Sequence, residues 1–396
     1  MVVASTVRTR VFIFITVILL GLNLRPVLAA IGPLLAQIQA VTGLSDTTAG
    51  LLTTLPIFAM GWCALYGGQI QSRLGEYRGI ALGIVIIAVA CGARWWIHGG
   101  MALLLTAALA GVGIALIQAL VPSFIKLHFN KHSSLLMGLY TTAIMGGAAI
   151  AASSVSPLAH VLGWESALAL WGMMALVAAI AWKTIPRAYK AQSKAASVTT
   201  TRRTLTDWLL MVFFGIGTGA YTLMLAWLPP YYIQLGWSPT QSGFMMGGLT
   251  LTEVFSGLMV SAFINYFPDR RRLLLPVLII LLVGMIGLIV APLLLPYAIT
   301  LMLGIGLGAL FPLSLIVTLD QATDSHKAGS LMGFVQGGGY ILASLMPLLA
   351  GFIRQHTAGL QQAWMIMTVG VVILIVMATR FAPKKQPSIH VSERVT

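Results

Sequence analysis

The sequence predicts an all-α polytopic membrane protein whose twelve transmembrane helices form two six-helix halves related by duplication. Three observations carry this. Hydrophobic residues make up 58% of the 396 and charged ones 8%, and the mean hydropathy is +0.94, whereas soluble domains carry about 25% charged residues. The apolar residues gather in twelve runs of 17–27 residues, each long enough to cross roughly 30 Å of hydrocarbon as a helix rising about 1.5 Å per residue. Short motifs of the first six runs also recur, in order, in the last six.

The first run, at about 11–36, holds Gly21-Leu22-Asn23-Leu24-Arg25-Pro26 and Pro33. Arg25 is its one formal charge and falls near the middle. Facing lipid at that depth costs from about 2.5 to more than 10 kcal/mol, so Arg25 is expected to point into a bundle or a watery cavity. Pro26 leaves a carbonyl one turn earlier without its donor, which kinks the helix. Two readings of Arg25 stay open: a residue facing an anion or substrate, and a structural arginine paired within the bundle. Arg8 and Arg10 before the run and Ala29-Ala30 within it resemble a leader peptide. The run continues past Ala30 and has a partner in the second half, so it reads as a retained first helix.

The other runs lie at about 46–71, 79–97, 101–125, 133–157, 164–184, 207–232, 240–266, 273–291, 295–319, 328–354 and 361–381. Ser45 opens the second and Ser238 the eighth as N-caps. Arg94-Trp95-Trp96 ends the third, where the arginine is expected to snorkel to headgroups between interfacial tryptophans. Cys63 and Cys91 lie in apolar runs and read as buried thiols, with no disulfide and no metal site. The long polar gap 185–206 carries Arg187, Lys190, Lys194, Arg202 and Arg203. It divides the chain into a first bundle (1–184), a basic linker (185–206), a second bundle (207–381) and a tail (382–396).

All Lys and Arg except Arg25, Arg94 and Arg354 fall in the even-numbered gaps or the tails, which predicts both termini in the cytoplasm. The same placement argues against a nucleic-acid partner despite a net charge of +14, because no aromatic-interleaved basic face exists. The partners expected are a lipid bilayer and a small solute, with the chain a monomer.

The halves repeat. Gly43, Ser45, Thr47 and Gly50 precede and open span 2 as Gly236, Ser238, Thr240 and Gly243 do for span 8, at an offset of 193. Ser134-Leu135-Leu136-Met137-Gly138 and Ser330-Leu331-Met332-Gly333 match at about 195, and Gly111-Val112-Gly113 matches Gly304-Ile305-Gly306. Duplicated parallel halves are an architecture of alternating-access carriers.

Twelve spans, a six-plus-six split and a long central loop resemble the major facilitator superfamily over essentially the whole chain. Its loop signature after span 2 is met by Gly68, Arg73 and Gly75, while Ser72 stands where Asp is usual and Glu76 where a basic residue is usual. The second-half counterpart shrinks to Asp269-Arg270-Arg271-Arg272. The stretch from Gly21 to Pro26, with Phe311-Pro312-Leu313 and Leu319-Asp320, resembles the cyanate-permease branch, and within it carriers of 2-nitroimidazole. The resemblance implies that helices 1, 4, 7 and 10 line a central cavity, with 2, 5, 8 and 11 behind them. Asn23, Arg25, Gln118, Tyr221, Trp227 and Phe311 are then the substrate candidates, and Arg73, Gly75 and Asp320 the gating candidates; Asp324 closes span 10 beside Asp320. Arg25 offers a planar fork to a nitro or anionic oxygen. Asn23 and Gln118 complete a polar shell, and the aromatics stack on a flat ring or merely pack.

Glu253, near the centre of span 8, is the other mid-span charge. It reads as the proton-coupling acid of a carrier or as a static partner of Arg25. Serine-hydrolase, zinc-protease and phosphate-loop motifs are missing, and the histidines sit in gaps or tails. The expectation is therefore not an enzyme and no cofactor. It is a proton-coupled secondary transporter in a bacterial inner membrane, exporting a small planar, 2-nitroimidazole-like solute as an antiporter. The alternatives are uptake of a small anion such as cyanate, and a sensor that binds without moving its ligand.

Overall fold

The computed structural model describes residues 7–129, 132–186, 189, 203–321 and 325–381. Lys131, Arg187, Lys190, Lys194, Arg202, Asp324 and the tail 382–396 lie outside the described residues. Twelve helical segments are long and apolar enough to cross a membrane. The first span is α1 (Val7–Leu22), α2 (Pro26–Ala29) and α3 (Ile31–Thr42) in series. There follow α4 (Asp46–Leu65), the short α5 (Gly67–Leu74), α6 (Glu76–Ala93), α7 (Gly100–His128), α8 (Ser133–Leu162) and α9 (Trp164–Lys183). The second half is α10 (Leu205–Gln234), α11 (Pro239–Phe263), α12 (Arg271–Val290), α13 (Pro296–Asp320), α14 (Ser325–Thr357) and α15 (Gln361–Thr379). Turns at 43–45, 97–99, 235–238 and 358–360 mark one face, and the first and last described residues, 7 and 381, lie toward the other, the terminal face.

The first span departs from a single kinked helix. It breaks at Asn23–Arg25, where the Asn23 and Leu24 amides donate back to Leu20 and Gly21 (3.1 and 3.0 Å) and tighten the last turn of α1. Pro26 has no amide hydrogen to continue the ladder, but at N1 its fixed φ starts the next helix. Arg25 thus becomes the residue that caps α2, with its carbonyl accepting from Leu28 and Ala29.

Ser45 and Ser238 cap α4 and α11 as expected, accepting from the Thr48 and Gln241 amides (3.2 and 3.1 Å). Between the halves, α4 packs on α14 and α8 on α11, two contacts that exchange when the halves exchange. The repeat extends to single residues. A Cβ at Gly50 would lie 2.6 Å from the Pro347 carbonyl oxygen, and one at Gly243 would strike the Ala152 carbonyl. Gly50 and Gly243 are separated by the repeat offset of 193, and Ala152 and Pro347 by 195. Gly111 likewise abuts Pro56 as Gly304 abuts Leu249. Small residues let these backbones touch, which is how helices associate in lipid.

Arg94 does not snorkel. A short 3-10 turn over Arg94–Trp96 directs it inward, fully buried, where its Nε donates to Thr106 (3.2 Å); Trp95 and Trp96 remain exposed. On the terminal face Arg271 binds Asp269 at 2.8 Å and holds that carboxyl below the usual carboxylate range. Cys63 and Cys91 are free.

Candidate functional site

The break in the first span aims Arg25 at the second half. The residue is 4% exposed, and its guanidinium carbon lies 5.4 Å from the centre of the Tyr221 ring on α10. Its charge also meets Tyr140 on α8, Glu253 on α11 and Tyr340 on α14. Arg25 and Tyr140 come from the first half, and Tyr221, Glu253 and Tyr340 from the second.

Packing fixes each member. Gly21, one turn before Arg25, leaves room for Tyr140, since a Cβ there would lie 3.3 Å from the tyrosine ring. Gly308 of α13 abuts the backbone of Glu253 so closely that no larger residue fits. Phe214 meets Tyr340 edge-on at 5.4 Å. Against this rigidity stands an unmet polar demand. Arg25 Nε, the Tyr140 and Tyr221 hydroxyls and both Glu253 carboxyl oxygens are buried without a hydrogen-bond partner. Each such group costs about 1–3 kcal/mol, more where charged. Natural interiors leave few of them, and here five fall in one cluster drawn from both halves.

The candidates distribute unevenly around this cluster. Asn23 turns away, donating to the carbonyls of Leu19 (2.7 Å) and of Met174 on α9 (3.5 Å), so its amide is spent inside the first half. Gln118 is half-buried on α7. Trp227 is fully buried and donates to the Pro347 carbonyl at 2.9 Å. Its ring lies under Arg354, 5.4 Å away, which pairs with Asp46 across the halves at 3.2 Å. That places Trp227 in the seam at the face opposite the termini. Phe311 is 37% exposed and reaches the cluster only through Phe214, at 5.6 Å. Among the gating candidates, Arg73 is exposed on α5, and Gly75 turns the chain at φ 68°, a conformation suited to glycine. Asp320 binds Arg270 at 2.8 Å, a contact inside the second half and not between halves.

The cluster therefore draws on spans 1, 5, 7, 8 and 11, where the family pattern placed 5, 8 and 11 behind the cavity. Tyr140 and Tyr340 were missed. The signal available was the one used for Arg25: a polar group in mid-span needs a partner.

Comparison with known proteins bears on the family. The sequence matches the Major Facilitator Superfamily over residues 13–328 and 234–395. The cyanate transport protein CynX of Escherichia coli (strain K12) is 37% identical over 383 residues, covering 96% of this chain and 99% of that protein. The 2-nitroimidazole transporter of the same organism is 29% identical over 386 residues, covering 94% and 95%. The inward-open xylose transporter XylE from E. coli shares the fold with a TM-score of 0.78 at 12% identity, over 95% of this chain and 97% of that one. An inward-facing, occupied bacterial homologue of the lysosomal transporter Spinster does so at 0.74 and 15%, over 95% and 97%. The higher identity to a cyanate carrier reverses the order of substrates expected from the sequence. With its twelve spans, its duplicated halves and these relatives, the chain belongs to the Major Facilitator Superfamily and is a multi-pass membrane transporter, not an enzyme.

Proposed function

We propose that the protein imports a small monoanion of the cyanate type by alternating access, together with a proton. One observation carries this reading: a buried arginine with an unpartnered Nε sits between the halves beside a carboxyl group that has no hydrogen-bond partner. An anion on Arg25 and a proton on Glu253 enter together and leave together, so the loaded site is neutral, as is the empty site with Glu253 ionised. The 37% identity to CynX supports the substrate class. The distribution of Lys and Arg supports a terminal face in the cytoplasm of a bacterium and the opposite face outside its inner membrane.

A second reading, export of a 2-nitroimidazole-like solute, draws on the Tyr221 ring at the guanidinium and on the Phe214 ring, which touches Tyr340 and Phe311, and on the 29% relative. Counterflow in proteoliposomes separates them. Labelled cyanate is expected to exchange saturably and to accumulate under an inward proton gradient. Exchange of 2-nitroimidazole without exchange of cyanate overturns the first reading, and ligand binding without flux of either identifies a sensor.

A further inference from the structure

We infer that the hydroxyls of Tyr140 and Tyr221, one from each half, are donors to the substrate's negatively charged atoms and set its specificity for compact anions. This rests on the anion reading above and adds to it which groups recognise the anion besides Arg25.

Both phenols are buried, both lack a hydrogen-bond partner, and both meet the charge of Arg25. A phenol has one hydrogen to give. Tyr340 also meets the charge of Arg25, but its hydroxyl is not among the buried groups without a partner. The two free phenols flank the fork from opposite halves, Tyr140 seated against Gly21 and Tyr221 beneath the guanidinium at 5.4 Å. Counting Arg25 Nε, three buried donors without partners therefore belong to residues grouped around the arginine. A compact anion has lone pairs for all three. A neutral heteroaromatic offers weaker acceptors and needs the ring faces instead of the hydroxyls. Contributions from both halves also mean that the full set of bonds forms only when the halves come together on the anion.

Substitution by phenylalanine removes the hydroxyl and keeps the ring. A hydroxyl that served structure would lower stability when removed. An unpartnered buried hydroxyl is itself a cost, so Tyr140→Phe and Tyr221→Phe are expected to melt at or roughly 1–3 °C above the parent in detergent without ligand. Sodium cyanate should then bind roughly ten- to hundredfold more weakly to each variant, and the antisymmetric stretch of bound cyanate in the infrared should shift toward its value in a less hydrogen-bonded state. Binding of 2-nitroimidazole, where it occurs, should change by less than threefold.

Unchanged cyanate affinity and an unchanged stretch in both variants overturn the inference; if Arg25→Lys loses binding in the same assay, the anion reading itself stands. Lower melting with unaltered affinity per folded molecule also overturns it, as the mark of a structural hydroxyl. A parent protein that binds neither cyanate nor bicarbonate nor formate removes the anion reading and this inference with it.

Discussion

Arg25→Lys keeps a positive charge but exchanges a planar, five-donor fork for a flexible point charge. Cyanate transport per folded molecule is expected to fall at least about tenfold, and Arg25→Ala to abolish it, since a hydrogen bond to a charged group contributes about 1.5–3 kcal/mol. Binding to purified protein, normalised to the folded fraction, is the deciding measurement: unchanged binding with lowered stability would make Arg25 a structural pin. Glu253→Gln cannot cycle a proton but resembles the protonated acid in shape. It should keep exchange of cyanate against cyanate and lose accumulation driven by a pH gradient; retained accumulation reduces Glu253 to a static partner. These two residues were legible in the sequence because a charge in mid-span must find a partner, whatever the fold. Asn23, also a mid-span polar residue, gives its amide hydrogens to the carbonyls of Leu19 and Met174. Trp227 likewise gives its donor to Pro347. Tyr140 and Tyr340 escaped because a tyrosine in an apolar span is commonly packing, and sequence alone does not tell which side of its helix meets the other half.

Helices here touch through glycines, and the consequence of filling one depends on whether its partner lies in the same half. Gly83 and Gly113 approach each other reciprocally between α6 and α7, a Cβ at each falling 2.7 and 2.6 Å from the other's carbonyl oxygen. Nothing in a transport cycle relieves that contact, so Gly113→Val should destabilise the protein by about 1–3 kcal/mol, seen as lost yield and a lower melting temperature. Gly243 meets the Ala152 carbonyl across the halves, where opening removes the clash. Gly243→Val should melt near the parent yet transport at least tenfold more slowly; equal melting losses in the two variants would show that the α8–α11 seam is as permanent as the α6–α7 one. The spans, their caps at Ser45 and Ser238 and the repeat were readable from apolar run length and glycine spacing, since both follow from the bilayer and from helix contact. The break at Asn23–Arg25 was readable only as a kink. Pro26 removes one hydrogen bond in either case, and the choice of a full break comes from tertiary packing, with the Leu22 carbonyl set against Gly147 of α8.

At the scale of the whole molecule, the halves are locked together at the face opposite the termini. Arg354 pairs with Asp46 at 3.2 Å, and Gln39 donates to the same carboxylate at 2.8 Å. The Thr47 amide donates to Gln355 at 3.2 Å. Nearby, Gly32 of α3 lies against Leu225 and Pro229 of α10, and Ser156 meets Thr240 across α8 and α11 at 3.4 Å. The sequence-level candidates for a latch sat on the terminal face, yet there Asp320 binds Arg270 within one half; among the described residues the cross-half ion pair is at the other end. Its side chains are about one-fifth exposed, which limits its contribution to about 1 kcal/mol after solvent screening. Over two states separated by a few kcal/mol, that still moves the ratio of closed to open about fivefold. Arg354→Gln should therefore raise the population open at this face by that factor without changing how anion meets Arg25. The measurement is the labelling rate of Ser156→Cys by a membrane-impermeant maleimide added from this face, with Cys63 and Cys91 replaced by serine. Labelling is expected to quicken about fivefold in Arg354→Gln and to quicken in the parent as salt is raised, because the pair is screened. A rate that responds to neither would leave closure to the apolar and glycine contacts alone.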